Sequence, residues 1–489
     1  MSEIVSTPFP PPPSSAADPA DLGVLEAAQQ LRARRLSSAE LTDACLRRIE
    51  ERGGGEPTFD GAPDRINAWA RLYPDLARDH ARRADERRAR EADDTPLLCG
   101  IPIGVKDLYA VAGLPLTASS RVLEGNLASA DSPAWRSLHD RGMVLLGHTH
   151  MHEFAAGGTT DQVGNPHDLR LVVGGSSGGS AAALAARMTP AALGSDTCGS
   201  LRIPSACCGT SAIKPTHGRI SLDGIVPLAP SLDHPGPMAR TVADCAALLE
   251  AMADRTAAVT PLLPPPAPTG PLPLAARAGP RPLEGITVAV TDRTSEIPMH
   301  DEVARGLEQA VNACERLGAS IVERPAPWTL DPDDLSWVLM AEVWAYHRRH
   351  AERHDRYRAQ VGEFIEAARD FTDAQAYIVA QTRRAQGTAA WEEWFAENRI
   401  HAVLEPTLPI LPFERGVGYD PGQPAGPGDP MIALTALWDM TGMPAVSLPV
   451  SWSVGMSLIA PRGREVPLTQ IAIDLQEHAL GIPADPGSQ

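Results

Sequence analysis

Short apolar runs punctuated by glycine and proline alternate with helical patterns along this 489-residue chain, and that alternation limits the folds open to it. The run "GIPIGVKDL" (100–108) is followed by a helical stretch, "SPAWRSLHDRG" (132–142), and then by "MVLLGHT" (143–149). Further on, "GITVAV" (285–290), "DEVARGLEQAVNACERLG" (301–318) and "ASIVERP" (319–325) read as strand, helix, strand, with the two strands parallel. Strands this short bury little on their own. They must pair in a sheet and be covered by helices, which makes the chain an α/β layer protein.

The flanking regions fit that plan. Residues 24–36 and 37–52 read as two helices, the second opening on a capping box of Ser37 and Glu40. "INAWARLYPDLARDHARRADERRAREADD" (66–94) is expected to continue helical with a charged, solvated face. Residues 330–400 read as mostly helical, and 401–480 return to short strands. Residues 1–22 are rich in Pro, Ser and Ala and read as a flexible tail, as do 481–489 at the other end. The Pro-rich stretch 259–283 is either a domain boundary or a surface crossover inside one domain spanning 23–480.

Bulk composition removes some functions. The formal net charge of −18 argues against a broad nucleic-acid surface. No apolar run is long enough to cross a membrane, and the N-terminus lacks the basic and apolar regions of a secretory signal. Seven cysteines, odd in number and without a CxxC, suit free thiols in a reducing cytoplasm.

Chemistry concentrates in two places. Of 43 basic side chains only two are lysine, Lys106 and Lys214. Arginine cannot lose its proton, whereas a desolvated lysine can be neutral near pH 7 and serve as a base. Lys106 ends an apolar, glycine-punctuated strand, so a base is a natural reading of it. The second place is "GGSSGGSAAALAARMTPAALGSDTCGSLRIPSACCGTSAIKPTHGR" (174–219).

Several readings compete for that stretch. A phosphate cradle fails because lysine is missing before the hydroxyl residue of a P-loop. A nucleophile elbow, Gly175-Ser176-Ser177-Gly178-Gly179, would make Ser177 an esterase nucleophile paired with a histidine such as His217, His234 or His300. A metal site is suggested by His148, His150 and His152 at alternating positions, although no further ligand set accompanies them. A fourth reading joins both places. Small residues 196–200 can turn successive backbone N–H groups inward as an oxyanion nest beside Ser200, with Lys106 as base and a second serine relaying the proton.

On these residues the chain resembles the amidase signature family, serine hydrolases with a Ser–cis-Ser–Lys triad. The resemblance rests on "GIPIGVKD", "GGSSGGSAAALAA", "LGSDTCGSLRIPSACCG", "AIKPTHGRIS" and "SLDHPGPMARTVAD", with core motifs over 95–250, and more weakly on "EPTLPILP" and "TGMPAVSLPV". It implies a single amidase-signature domain: a mixed central β-sheet covered by α-helices on both faces. It implies Ser200 as nucleophile, Ser176 as cis-serine after a cis Gly175–Ser176 peptide, and Lys106 as base. The N–H groups of Thr197, Cys198, Gly199 and Ser200 would form the oxyanion hole. Asp196 and Arg202 would brace that loop, and Gly175 and Ser177 would support the cis bond. No metal or other cofactor is implied. Two departures stand out: Cys198 where glycine is usual, and "WDMTGMPA" without the asparagine often found there.

The resemblance implies hydrolysis of carbon–nitrogen bonds in small amides: carboxamides, aryl amides or carbamates, with ester side activity. A different class, the glutaminase component of a tRNA-dependent amidotransferase, shares the triad. Trp328, Trp337, Trp344, Trp391 and Trp394 crowd the helical region 330–400 and its approach, either as core or as pocket wall. The expected assembly is a monomer or homodimer.

Overall fold

The computed structural model describes residues 18–253, 270–419 and 429–485. Eleven strands form one sheet: Trp69–Leu72 (β1), Pro102–Lys106 (β2), Val144–Thr149 (β3), Ala191–Asp196 (β4), Ser211–Lys214 (β5), His234–Ala239 (β6), Thr287–Thr291 (β7), Ser320–Arg324 (β8), Ala402–Pro406 (β9), Ala445–Pro449 (β10) and Gly455–Ile459 (β11). Their order is β1-β3-β2-β4-β6-β5-β10-β11-β9-β7-β8. Strands from both sides of the Pro-rich stretch therefore share one sheet. Residues 254–269, which include the first part of that stretch, lie outside the described residues.

The sheet is mixed. β2 runs parallel to β3 and β4, and β7 parallel to β8 and β9, while the remaining pairs are antiparallel. The β7–β8 pairing bears out the strand–helix–strand reading. Every residue of β2, β3, β4, β5, β6, β9, β10 and β11 is buried. Side chains alternate between faces along a strand, so both faces of the sheet are covered.

The second N-terminal helix, Ser38–Gly53, starts with the expected capping box of Ser37 and Glu40. The stretch 66–94 differs from expectation: Trp69–Leu72 is an edge strand, and the helix starts only at Pro74. Proline suits the first helical position, and it pushes the residue before it out of the helical region. Within the segments expected as tails, residues 18–22 and 481–485 pack on the folded body. Arg48 pairs with Asp18 and Asp21, and Arg52 with Asp485, which ties 18–22 and 481–485 to the folded body. Residues 1–17 and 486–489 lie outside the described residues.

Because β2, β3 and β4 point the same way, Lys106, Thr149 and Asp196 end at one edge of the sheet. In α/β sheets that carboxyl edge is where ligands bind.

Candidate functional site

Lys106 is the last residue of β2 and is fully buried. Its Nζ lies 2.7 Å from Ser176 Oγ, 2.8 Å from Ser177 Oγ and 2.8 Å from Ser195 Oγ. All three partners are hydroxyls. Burial pulls its pKa down from 10.5 to about 7, against the opposing pull of Asp196 and Asp233. Loss of hydration disfavours the charged ammonium, and hydroxyls replace only part of that hydration.

The two serines reach the lysine because of where the following helix, Gly178–Ala185, begins. A Cβ at Gly179 would lie 2.4 Å from Ala68 O and 2.5 Å from His150 O, so only glycine lets the helix tip press onto that backbone. The Gly175–Ser176 peptide is cis, as the resemblance implied. The carbonyl of Ser176 accepts from His152 N–H (3.0 Å), and Ser177 N–H donates to Ser200 O (3.3 Å).

Ser177 does not fit the nucleophile elbow. Its hydroxyl accepts from Lys106 and from Ser195 N–H (3.2 Å) and donates to Ser195 O (3.2 Å). Among the described residues no histidine bonds to it. His217 faces Pro230 O, His234 faces Leu232 O, and His300 caps Glu302 N–H. His148, His150 and His152 follow separate paths as well. They bond Tyr73 OH, Thr58 O with Ser119 Oγ, and Glu153 O respectively. Among the described residues no cluster of three or more His, Cys, Asp or Glu is arranged to hold a metal.

The loop after β4 carries Ser200, which is 6% exposed. Its brace is a buried ion pair. Arg202 Nε and Nη2 donate to the two oxygens of Asp196 at 2.9 and 3.0 Å. Asp196 also accepts from Gly199 N–H (2.6 Å) and Leu201 N–H (3.2 Å). Burial pushes its pKa up, but the charge and hydrogen bonds of Arg202 outweigh it and hold the carboxyl far below the usual carboxylate range. Gly199 therefore differs from expectation: its N–H is spent on Asp196. The N–H groups of Thr197, Cys198 and Ser200 donate to no protein group among the described residues. The Ser200 hydroxyl likewise has no hydrogen bond there, and none joins it to Ser176.

Four residues at this site were not singled out from sequence. Ser195 completes the ring of hydroxyls around Lys106. Asp233 accepts from Thr197 Oγ1 (2.6 Å), and burial pushes its pKa up to about 6. Thr435 Oγ1 donates to Cys198 O, and Asp439 Oδ2 accepts from Arg202 Nη2 (2.5 Å). Ser195, in the strand next to the motif loop, was within reach of a period-two argument. Thr435 and Asp439 lie more than 230 positions from their partners, and no local signal announces them.

The tryptophans divide. Trp391 and Trp394 sit in a core cluster with Trp438, and Trp391 Nε1 donates to Trp328 O (3.1 Å). Trp344 is half-buried. Trp337, also half-buried, packs with Cys198 against an apolar cluster of Leu232, Leu335, Val338 and Met440.

The family model for Amidase matches residues 41–468. An amidase of Pseudomonas putida is 35% identical, with 88% of this chain and 90% of that one aligned. The A subunit of the glutamyl-tRNA(Gln) amidotransferase of Myxococcus xanthus is 32% identical, with 92% and 96% aligned. Among solved structures, 6-aminohexanoate cyclic dimer hydrolase superposes with a TM-score of 0.81 at 26% identity, covering 95% of this chain and 98% of that one. The native peptide amidase of Stenotrophomonas maltophilia gives 0.79 at 26%, covering 96% and 98%.

Proposed function

Because the chain belongs to the amidase family, we propose that it hydrolyses the carbon–nitrogen bond of linear amides through an acyl-enzyme on Ser200, with Ser176 as proton relay and Lys106 as general base. The observation that carries this reading is a fully buried lysine whose three side-chain partners are all serine hydroxyls, its pKa pulled down to about 7 by burial.

The protons can be counted. A neutral amine offers two N–H donors and one lone pair. Ser177 already spends its hydrogen on Ser195 O, so it can only accept from Nζ. With Ser195 accepting the second N–H, the lone pair falls to Ser176. Ser176 gives its proton to Lys106 while taking one from Ser200, and Ser200 attacks the carbonyl carbon. The free N–H groups of Thr197, Cys198 and Ser200 receive the oxyanion. The relay then runs backward and protonates the leaving nitrogen as the C–N bond breaks. Water repeats the sequence on the acyl-enzyme and releases the acid.

The base must be deprotonated, so kcat/KM rises with pH through a midpoint of about 7. A profile flat from about pH 5 to 9 while chemistry limits the rate removes Lys106 from the base role.

The apolar cluster beside Cys198 favours an aryl or bulky apolar group on the substrate, as in an anilide or aryl carbamate, over the charged end of glutamine. The glutaminase reading has its own support, since several relatives are A subunits of such amidotransferases. It predicts ammonia release from glutamine and co-purifying partner proteins.

One panel tests both: a p-nitroanilide, a p-nitrophenyl carbamate, a p-nitrophenyl ester and glutamine, with wild type, Ser200→Ala and Lys106→Ala. Loss of amide cleavage by about 10³-fold or more in both variants supports the triad. Full activity in Ser200→Ala overturns it.

A further inference from the structure

We propose that Asp439 is a positioning residue for the oxyanion loop and acts as a neutral carboxylic acid, donating to Asp196 and accepting from Arg202. This rests on the reading of Thr197–Ser200 as the loop that holds the oxyanion.

The argument begins with crowding. Asp196, Arg202 and Asp439 all have fully buried side chains. Arg202 Nη2 donates to Asp196 Oδ1 at 3.0 Å and to Asp439 Oδ2 at 2.5 Å, so two carboxyl groups share one nitrogen. Two like charges in one dry site cannot both persist, and one of the pair takes a proton.

The donors decide which one. Asp196 has two guanidinium and two backbone N–H donors. Among the described residues Asp439 accepts a side-chain hydrogen bond from Arg202 alone, and its buried Oδ1 has no hydrogen-bond partner. His234 Nδ1 lies 3.3 Å from that oxygen, but its nearest partner is Leu232 O at 2.6 Å.

The other charged and titratable groups around Asp439 are Lys214, Arg384 and the Cys198 thiol. Lys214 Nζ donates to Met443 O (2.5 Å), and Arg384 to Met440 O and Ser231. Neither bonds Asp439. Burial first, and Asp196 second, push Asp439 well above the carboxylate range. Once protonated, Asp439 can donate to the Asp196 carboxylate, with which it shares Arg202 Nη2.

The consequence is mechanical. Asp439 belongs to the short helix Ala436–Met440, and Thr435 just before it grips the loop. Thr435 Oγ1 donates to Cys198 O, and Arg202 Nη1 donates to Thr435 O (3.1 Å). An ionised Asp439 would draw Arg202 away from Asp196 and loosen the carboxylate that fixes Gly199 and Leu201. As a neutral acid it anchors Arg202 without competing.

The test uses the whole protein, as wild type, Asp439→Asn and Asp439→Ala. Infrared spectra of wild type minus Asp439→Asn at neutral pH should show the carbonyl stretch of a protonated carboxyl. Asp439→Ala should lower kcat on the anilide by about 10²-fold with KM changed by less than about threefold. It should also slow labelling of Ser200 by a fluorophosphonate. The amide of Asp439→Asn, which also donates without a charge, should restore most of both rates. An absent carboxyl band, or Asn as damaging as Ala, overturns the proposal. Wild type that resists labelling at Ser200 overturns the nucleophile assignment instead, and the infrared band still reports the state of Asp439.

Discussion

The half of the sheet built on β2, β3 and β4 and the flank built on β7 and β8 obey different packing rules. In the first half every strand residue is buried, and glycines are wedged against backbone: a Cβ at Gly147 would lie 2.2 Å from Arg71 O, and one at Gly175 2.3 Å from Thr159 O. In the flank, β8 is exposed or half-buried throughout, and the long helix Ala374–Glu397 leaves Ile378 61% exposed. The strands and glycine contacts around Lys106 are tightly packed, so a small change there moves the side chains that meet it. The flank can change its surface freely, and its Trp337 packs on the same apolar cluster as Cys198.

The sharpest break of this contrast is Lys106→Arg. The charge and most of the length are kept, but the proton cannot leave, so amide turnover should fall by about 10³-fold or more in a steady-state assay. Retained turnover would mean the position needs only a cation. Next comes Gly179→Ala, whose methyl meets Ala68 O and His150 O. Overpacking there should cost roughly 1–3 kcal/mol or more in thermal unfolding, while an unchanged midpoint would show slack where none is expected. Ser195→Ala removes one acceptor of Lys106 and should lower kcat by about 10-fold to 10²-fold while KM holds. In the flank, Trp337→Ala should raise KM for the anilide by several-fold, about 1 kcal/mol, with kcat nearly unchanged. The mildest is Ile378→Lys, expected within about 0.5 kcal/mol of wild type in stability.

The two regions also differed in how much of them could be read in advance. Around Lys106 and Ser200 the local pattern was informative, because strand ends, small residues and hydroxyls are spaced by backbone geometry. Lys106, one of only two lysines, meets the Ser176 hydroxyl at 2.7 Å, and also that of Ser177 at 2.8 Å, which local pattern did not announce. The same local reasoning failed at Gly199, whose N–H turns to Asp196, and at Trp69–Leu72, where charged residues downstream masked a strand. In the flank, periodicity located helices but could not assign faces. Trp391 and Trp394 fell to one core cluster and Trp337 to the cluster that Cys198 also packs against, because that division depends on which helix lies opposite.

The sequence by itself determined the layer class, the buried strand ending in Lys106 and the small-residue loop around Ser200, since each follows from side-chain size, period and charge within a few residues. Tertiary structure alone decided which groups share a desolvated space. Ser195 closing the ring on Lys106, and Asp439 meeting Arg202 across 237 positions, are contacts between strands and segments far apart in the chain. Their energy lies in a dry, shared volume that exists only once the sheet is assembled.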